Sequence, residues 1–114
     1  MVEVHRGEIV LVDLNPVIGT EQAGIRPAVI VQNDKANRVS PHSIIVPLTS
    51  KIRNAILPSH VFIGSGTCPL TPDSVVLYEQ IRVIDKRRII KILGELPPHI
   101  INKLNTSLLA ILNL

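Results

Sequence analysis

The chain has 114 residues, 12 Lys+Arg against 9 Asp+Glu for a formal charge of +3, and 46% apolar residues with 18% charged. That balance predicts one globular domain over residues 1–114 and excludes a disordered or low-complexity chain. A single cysteine excludes an internal disulfide and a cysteine-built metal site, and two aromatics, Phe62 and Tyr78, leave little for stacking a row of unpaired bases.

The chain opens Met1-Val2-Glu3-Val4-His5-Arg6, with charges where a secretory signal would be apolar. Its longest apolar runs, such as Leu108 to Leu112, are about five residues, against about 20 for a membrane span. The expectation is a cytoplasmic protein without membrane contact. Runs of Ile, Val and Leu punctuated by Gly, Pro, Asn and Asp predict strands near 8–14, 27–33, 43–49, 59–64, 74–83 and 88–95. The first two are joined by a long loop from Asn15 to Pro27, and Gly64 to Pro72 is a loop by composition. Asp85-Lys86-Arg87-Arg88 forms a turn or a single helical turn. Ile100, Ile101, Leu104, Leu108, Ile111 and Leu112 then recur every three to four residues behind Pro97-Pro98, which predicts one amphipathic helix. These elements make a β-rich α+β fold, a small antiparallel barrel or sandwich with a helix closing one side.

Loops as long as Asn15–Pro27 are usually functional or disordered. This one carries Glu21 and ends in Arg26, whose backbone the following proline biases away from helix. Arg26 either pairs with Glu21 or Asp13 or is fixed at the loop base to clamp a carboxylate or phosphate. Thr49 ends the third strand and by itself needs no function. His5, His42, His60 and His99 lack metal-ligand spacing, so no metal is expected, and none stands out as an acid–base pair. Lys35, Arg38, Lys51 and Arg53 occur with no acid between 35 and 53, and Arg82, Lys86, Arg87, Arg88 and Lys91 follow with only Asp85 opposing. Lys86 to Lys91 suit a solvated face, whereas Lys51, Arg53 and Arg82 could line a phosphate track. A strand through Glu79-Gln80-Ile81-Arg82 would set Gln80 and Arg82 on one face. Phe62 and Tyr78 are expected in the core or at an interface.

In order along the chain, Arg6-Gly7-Glu8-Ile9-Val10, Asp13-Leu14-Asn15-Pro16, Gly19 through Pro27 and Val31-Gln32-Asn33-Asp34 resemble the opening of MazF/PemK toxins. Pro47-Leu48-Thr49-Ser50, Leu57-Pro58-Ser59-His60-Val61 and Asp73 through Arg82 continue the resemblance, which spans Arg6 to the C-terminus. It implies an SH3-like antiparallel β-barrel of the MazF/CcdB type with a C-terminal helix. It also implies a sequence-specific endoribonuclease of a type II toxin–antitoxin pair that works as a homodimer and is blocked by the acidic C-terminal segment of its antitoxin. The family's catalytic arginine falls on Arg26, its catalytic threonine on Thr49 and its loop glutamate on Glu21. Gln22, Asn33, Lys51, Arg53, Leu57, His60, Gln80 and Arg82 are the residues expected to bind RNA. Ala23, Val10 and Leu11, and the loop from Gly64 to Pro72 depart from the family pattern.

The implied chemistry needs no metal or cofactor, because RNA carries its own nucleophile in the 2′-hydroxyl. The enzyme must align that hydroxyl, stabilise the pentavalent phosphorane and assist the leaving 5′-oxygen. A guanidinium can pair bidentately with phosphate oxygens and Thr49 can donate a hydrogen bond. A glutamate with an ordinary pKa near 4.3 is a weak base at neutral pH. Two alternatives compete: a gyrase-poison-like toxin on the same fold, acting through the C-terminal helix, and a barrel that binds RNA without cutting it. The terminal helix of this chain has no aromatic anchor.

Overall fold

In a computed structural model, residues 3–16, 18–19, 23–51, 61–64 and 73–114 are described. Seven strands and two helices follow one another as β1 (Glu8–Asp13), β2 (Ile25–Ile30), α1 (Asp34–Val39), β3 (His42–Thr49), β4 (Val61–Ile63), β5 (Ser74–Val76), β6 (Arg82–Asp85), β7 (Ile89–Glu95) and α2 (Pro98–Ile111). The sheet runs β4-β5-β3-β2-β1-β7, and β6 pairs with β3. Every pairing is antiparallel. The expected class is therefore the one that forms. "Barrel" describes it loosely, because among the described residues no pairing joins β4 to β7.

The central strands read as unbroken apolar runs because both faces of the sheet are covered. On one face Ile9, Val29, Val46, Leu48 and Val76 pack under Ile100, Leu104 and Leu108 of α2. Those three helix residues are spaced by four, so they line one side of α2, and Pro98 sits at its first turn, where a missing N–H costs nothing. On the other face Val10, Val12, Ala28, Ile30, Ile45, Ile84 and Ile89 form a second cluster. β1 and β2 are locked together from Ile9↔Val29 to Asp13↔Ile25, and β2 and β3 from Ala28↔Pro47 to Ile30↔Ile45.

Three expectations need correction. The strand expected over 27–33 begins at Ile25 and stops at Ile30, and residues 34–39 form a short helix. Asn33 caps that helix, its side-chain oxygen accepting from the Ala36 amide at 2.8 Å. A six-residue helix has too little length to show an apolar period, so only its cap was there to be seen.

The strand expected over 74–83 is broken by a 3-10 turn at Tyr78–Gln80. From Ile45 to Leu48 is three steps on β3, whereas Val76 to Arg82 is six on its neighbour, so the turn absorbs three extra residues. It lets Tyr78, 2% exposed, bury its ring beneath α2, while Leu77 N–H still bonds the Pro47 carbonyl at 2.9 Å.

Lys86, expected on a solvated face, is buried, with its ammonium donating to the Asn37 carbonyl. Asn37 is itself buried and anchors Gln32 and Ser43 through its side chain. An ammonium taken from water needs such acceptors. Phe62 lies on the outward side of β4 and is half exposed, because Val61 and Ile63 take the core positions.

Gly7 ties the sheet together before β1 begins. Its N–H bonds the Ile30 carbonyl at 2.8 Å and its carbonyl accepts from Leu96 N–H at 2.9 Å. It does so at φ +92°, and a Cβ there would stand 2.9 Å from Ile101 Cδ1. Gly7→Ala is expected to cost about 1–3 kcal/mol, chiefly from the left-handed backbone, since the end of Ile101 can yield. A denaturant midpoint lower than the parent's at unchanged m-value checks this.

Candidate active site

Arg26 is the second residue of β2 and Thr49 the last of β3. The β2–β3 pairing ends at Ala28↔Pro47, and Arg26 and Thr49 each lie two residues past that pair, Thr49 being itself paired with Val75 of β5. Residues an even number of positions apart on one strand share a face, which groups Arg26 with Ala28 and Ile30, and Thr49 with Ile45. That face is the one occupied by Ala28, Ile30 and Ile45, so both residues stand at the open end of the second apolar cluster. On its other side Arg26 is paired with Val12, whose side chain belongs to the same cluster. The site is thus a polar rim on an apolar floor.

Thr49 is 5% exposed, so its hydroxyl needs a partner. Lys51 N–H supplies one, donating to Thr49 Oγ1 at 3.1 Å. A hydroxyl carries one proton and two lone pairs. With a lone pair taken by a backbone N–H, its proton can be turned toward an incoming oxygen. Arg26 is half-buried and its Nε donates to the Ala23 carbonyl at 2.7 Å. That bond turns the guanidinium back over the loop that precedes it. Of the two ion pairs considered for Arg26, Glu21 lies outside the described residues, and Asp13 turns one carboxylate oxygen to its own turn, accepting from Asn15 N–H at 3.0 Å.

The neck of the β1–β2 loop is closed by cross-bonds. Leu14 N–H donates to the Gly24 carbonyl at 3.0 Å, and Gly24 N–H donates to Asn15 Oδ1 at 3.1 Å. Gly24 does both at φ +81°, which side-chain-bearing residues rarely adopt. From the far side, Arg88 Nη1 donates to the Asp13 carbonyl at 3.1 Å and to the Asn15 carbonyl. An open groove lined by Asp13, Asn15, Asp85, Arg87 and Arg88 runs along this edge. Asp85, capping its own turn, accepts from Arg87 N–H and pairs with the Arg87 guanidinium at 3.0 Å. The Arg87 side chain holds the Asp85 carboxyl down to about 2 and is itself pushed up by the carboxylate. Asn15 and Arg88 were not singled out by sequence; Arg88 lies in a basic run, and nothing in its spacing shows that it meets a loop 73 residues away.

The other expected site residues divide. Arg82 opposes Ile45 in the β3–β6 pairing and shares its face, four strand residues, or about 13 Å, from Thr49. Lys51 is exposed just past Thr49. Gln80 sits on the 3-10 turn rather than on a strand, so it does not share a strand face with Arg82; the turn flanks β3 near Pro47. Asn33 stands beyond the opposite end of β2 from Arg26, engaged as a helix cap, and is not brought to this rim. Glu21, Gln22, Arg53, Leu57 and His60 lie outside the described residues, as does most of the loop from Gly64 to Pro72. Among the described residues, no three His, Cys, Asp or Glu side chains are grouped to hold a metal ion, and no helix is long and apolar enough to cross a membrane.

The model of a family described as PemK-like, MazF-like toxin of type II toxin-antitoxin system matches residues 5–112. Endoribonuclease EndoA of Bacillus subtilis (strain 168) is 42% identical over 105 residues, covering 92% of this chain and 90% of its own. MazF from Deinococcus radiodurans has a fold that superposes with a TM-score of 0.85 at 25% identity, with 100% of both chains covered. A mycobacterial endoribonuclease in complex with its cognate antitoxin superposes with a TM-score of 0.78 at 31% identity, covering 100% of this chain and 97% of that one. The match runs from just before β1 to the end of α2 and so includes both Arg26 and Thr49, and the chain belongs to the family of PemK-like, MazF-like toxins of type II toxin–antitoxin systems.

Proposed function

We propose that this chain is an endoribonuclease that cuts single-stranded RNA by attack of the substrate's own 2′-hydroxyl on the neighbouring phosphorus. The 2′-oxygen–phosphorus bond forms as the phosphorus–5′-oxygen bond breaks, leaving a 2′,3′-cyclic phosphate and a 5′-hydroxyl. The observation that supports this reading is the β2–β3 pairing, which ends at Ala28↔Pro47 with Arg26 and Thr49 each two residues beyond that pair on the same face of the sheet. Arg26 offers its terminal N–H groups to the non-bridging oxygens, where charge accumulates in the phosphorane, and Thr49 donates its oriented hydroxyl to the same phosphate. Glu21, in the loop that ends at Arg26, is the group assigned to the 2′-hydroxyl proton. Since RNA supplies the nucleophile and Arg26 the positive charge, the mechanism has no step that requires a metal ion or a cofactor.

Lys51 and Arg82, with Arg53, hold flanking phosphates; Gln22, Leu57, His60 and Gln80 are the candidates for contacts to bases. With so few aromatics, hydrogen bonds and phosphate contacts carry more of the binding than stacking. The protein acts in the cytoplasm as a homodimer, and an acidic segment of a cognate antitoxin competes with RNA for the basic rim. EndoA and the antitoxin-bound mycobacterial endoribonuclease support this reading. Short incubation with a long single-stranded RNA is expected to yield fragments whose 5′ ends accept phosphate from a kinase without prior phosphatase treatment, in EDTA as in magnesium. Fragments bearing 5′-phosphates, or cleavage that stops in EDTA, would contradict the mechanism.

A further inference from the structure

Hydrogen bonds joined through Asn15 and the Ala23–Gly24 peptide lead from Arg88, the last residue of the turn before β7, to the guanidinium of Arg26. Arg88 Nη1 holds the carbonyls of Asp13 and Asn15. Asn15 Oδ1 holds Gly24 N–H at 3.1 Å, and Leu14 N–H holds the Gly24 carbonyl at 3.0 Å. The residue before Gly24 is Ala23, and its carbonyl receives Arg26 Nε at 2.7 Å. The pairing Val12↔Ile89 brings Arg88 beside Asp13 from the strand on the opposite side of β1 to Arg26.

From this we propose that Arg88 is a positioning residue for the ribonuclease reaction: it fixes the neck of the β1–β2 loop and, through Asn15 and Gly24, the aim of the Arg26 guanidinium. The inference rests on the catalytic reading of Arg26. The end of β1 leaves two carbonyls pointing the same way, and one cationic nitrogen answers both. Arg88 is half-buried against that turn, unlike its neighbour Arg87, whose side chain is exposed and spent on Asp85. Without the clamp the neck retains its two cross-bonds but loses the anchor that holds them to β7. Misplacement of a catalytic group by about 1 Å can cost as much as 100-fold in rate.

Single-turnover cleavage of one defined RNA separates this role from others. Arg88→Ala is expected to lower the cleavage rate about 10- to 100-fold with RNA affinity changed less than threefold, while Arg87→Ala stays within twofold of the parent. In an Arg26→Lys background the same Arg88→Ala change is expected to cost under threefold, because there is no longer a guanidinium to aim. Equal costs in both backgrounds would mean a general structural role, and weaker RNA binding at an unchanged rate would mean a direct phosphate contact; either overturns the proposal. Should Arg88→Ala fail to fold, Asn15→Ala breaks the next link and leaves Arg88 its backbone acceptors; it is expected to show the same rate loss and the same dependence on Arg26, and parent-like cleavage by Asn15→Ala overturns the proposal. If Arg26→Ala is itself fully active, the catalytic reading has failed first. If Arg26→Ala is inactive and Arg88→Ala cleaves like the parent, only the positioning role is lost.

Discussion

Arg26→Ala is expected to leave a folded protein whose RNA-cleaving rate has dropped by about 10²–10³-fold, equivalent to about 3–4 kcal/mol of transition-state stabilisation. Negative charge develops on the non-bridging oxygens as the 2′-oxygen closes on phosphorus, and a guanidinium already pointing at that position stabilises it without reorganisation. Two features make Arg26 suited to the task. Its backbone is pinned in β2 by pairing with Val12, and its Nε is held by the Ala23 carbonyl, so the guanidinium plane is fixed at the base of the loop. Loss of the side chain should change stability by no more than about 1 kcal/mol, since Arg26 is half-buried at the end of a strand and the Ala23 carbonyl can turn to water. Arg26→Lys keeps the charge but not the planar fork, so its rate should fall between the two. The assay is single-turnover cleavage beside a thermal melt of each variant. A folded Arg26→Ala that cleaves at the parent rate would remove this residue from the mechanism.

A single 2′-deoxy sugar on the 5′ side of the cut is expected to abolish cleavage at that linkage, whatever the protein concentration. The mechanism assigns the bond-forming oxygen to the substrate, so deleting it removes the nucleophile rather than weakening an interaction. The same deoxy sugar one nucleotide downstream removes only a contact and should slow cleavage by a small factor. A substrate series with the deoxy position walked along the chain, read on a denaturing gel, gives one silent position among active ones. Cleavage that persists through the deoxy sugar would mean that water attacks phosphorus, and Arg26 and Thr49 would then need new roles.

The legible parts of this fold were those with a long period. Ile100, Leu104 and Leu108 announced α2 by their spacing, and they are its buried face. The runs around Ile9–Val12 and Ile44–Leu48 announced strands, because residues alternately serve two buried clusters and leave no polar gap. Illegible were the short elements. α1 has six residues, and the 3-10 turn at Tyr78–Gln80 interrupts a sequence that by composition is one strand. What ends that strand is the burial of Tyr78 under α2, a contact with residues 20 and more positions away. Lys86 followed the same rule in reverse. In a run of cations it has the composition of a solvated face, and only the approach of Asn37 gives its ammonium a buried acceptor.

Within the site, Arg26 was marked by its place at the end of a long loop and before a proline, and Thr49 by its resemblance to a family residue. Their relation was not marked by either, since 23 positions separate them and only the β2–β3 pairing brings those strand ends to the same side of the sheet. Composition and periodicity sufficed to determine a β-rich chain with a terminal helix, one cysteine, few aromatics and a modest positive charge, because those properties belong to residues singly or to their near neighbours. The motifs in their order sufficed for the family. Which carbonyls Arg88 holds, which face Arg26 shares with Thr49, and which lysine is buried were decided only by the tertiary structure, because each is a matter of strand register and of backbone groups that no side-chain pattern encodes.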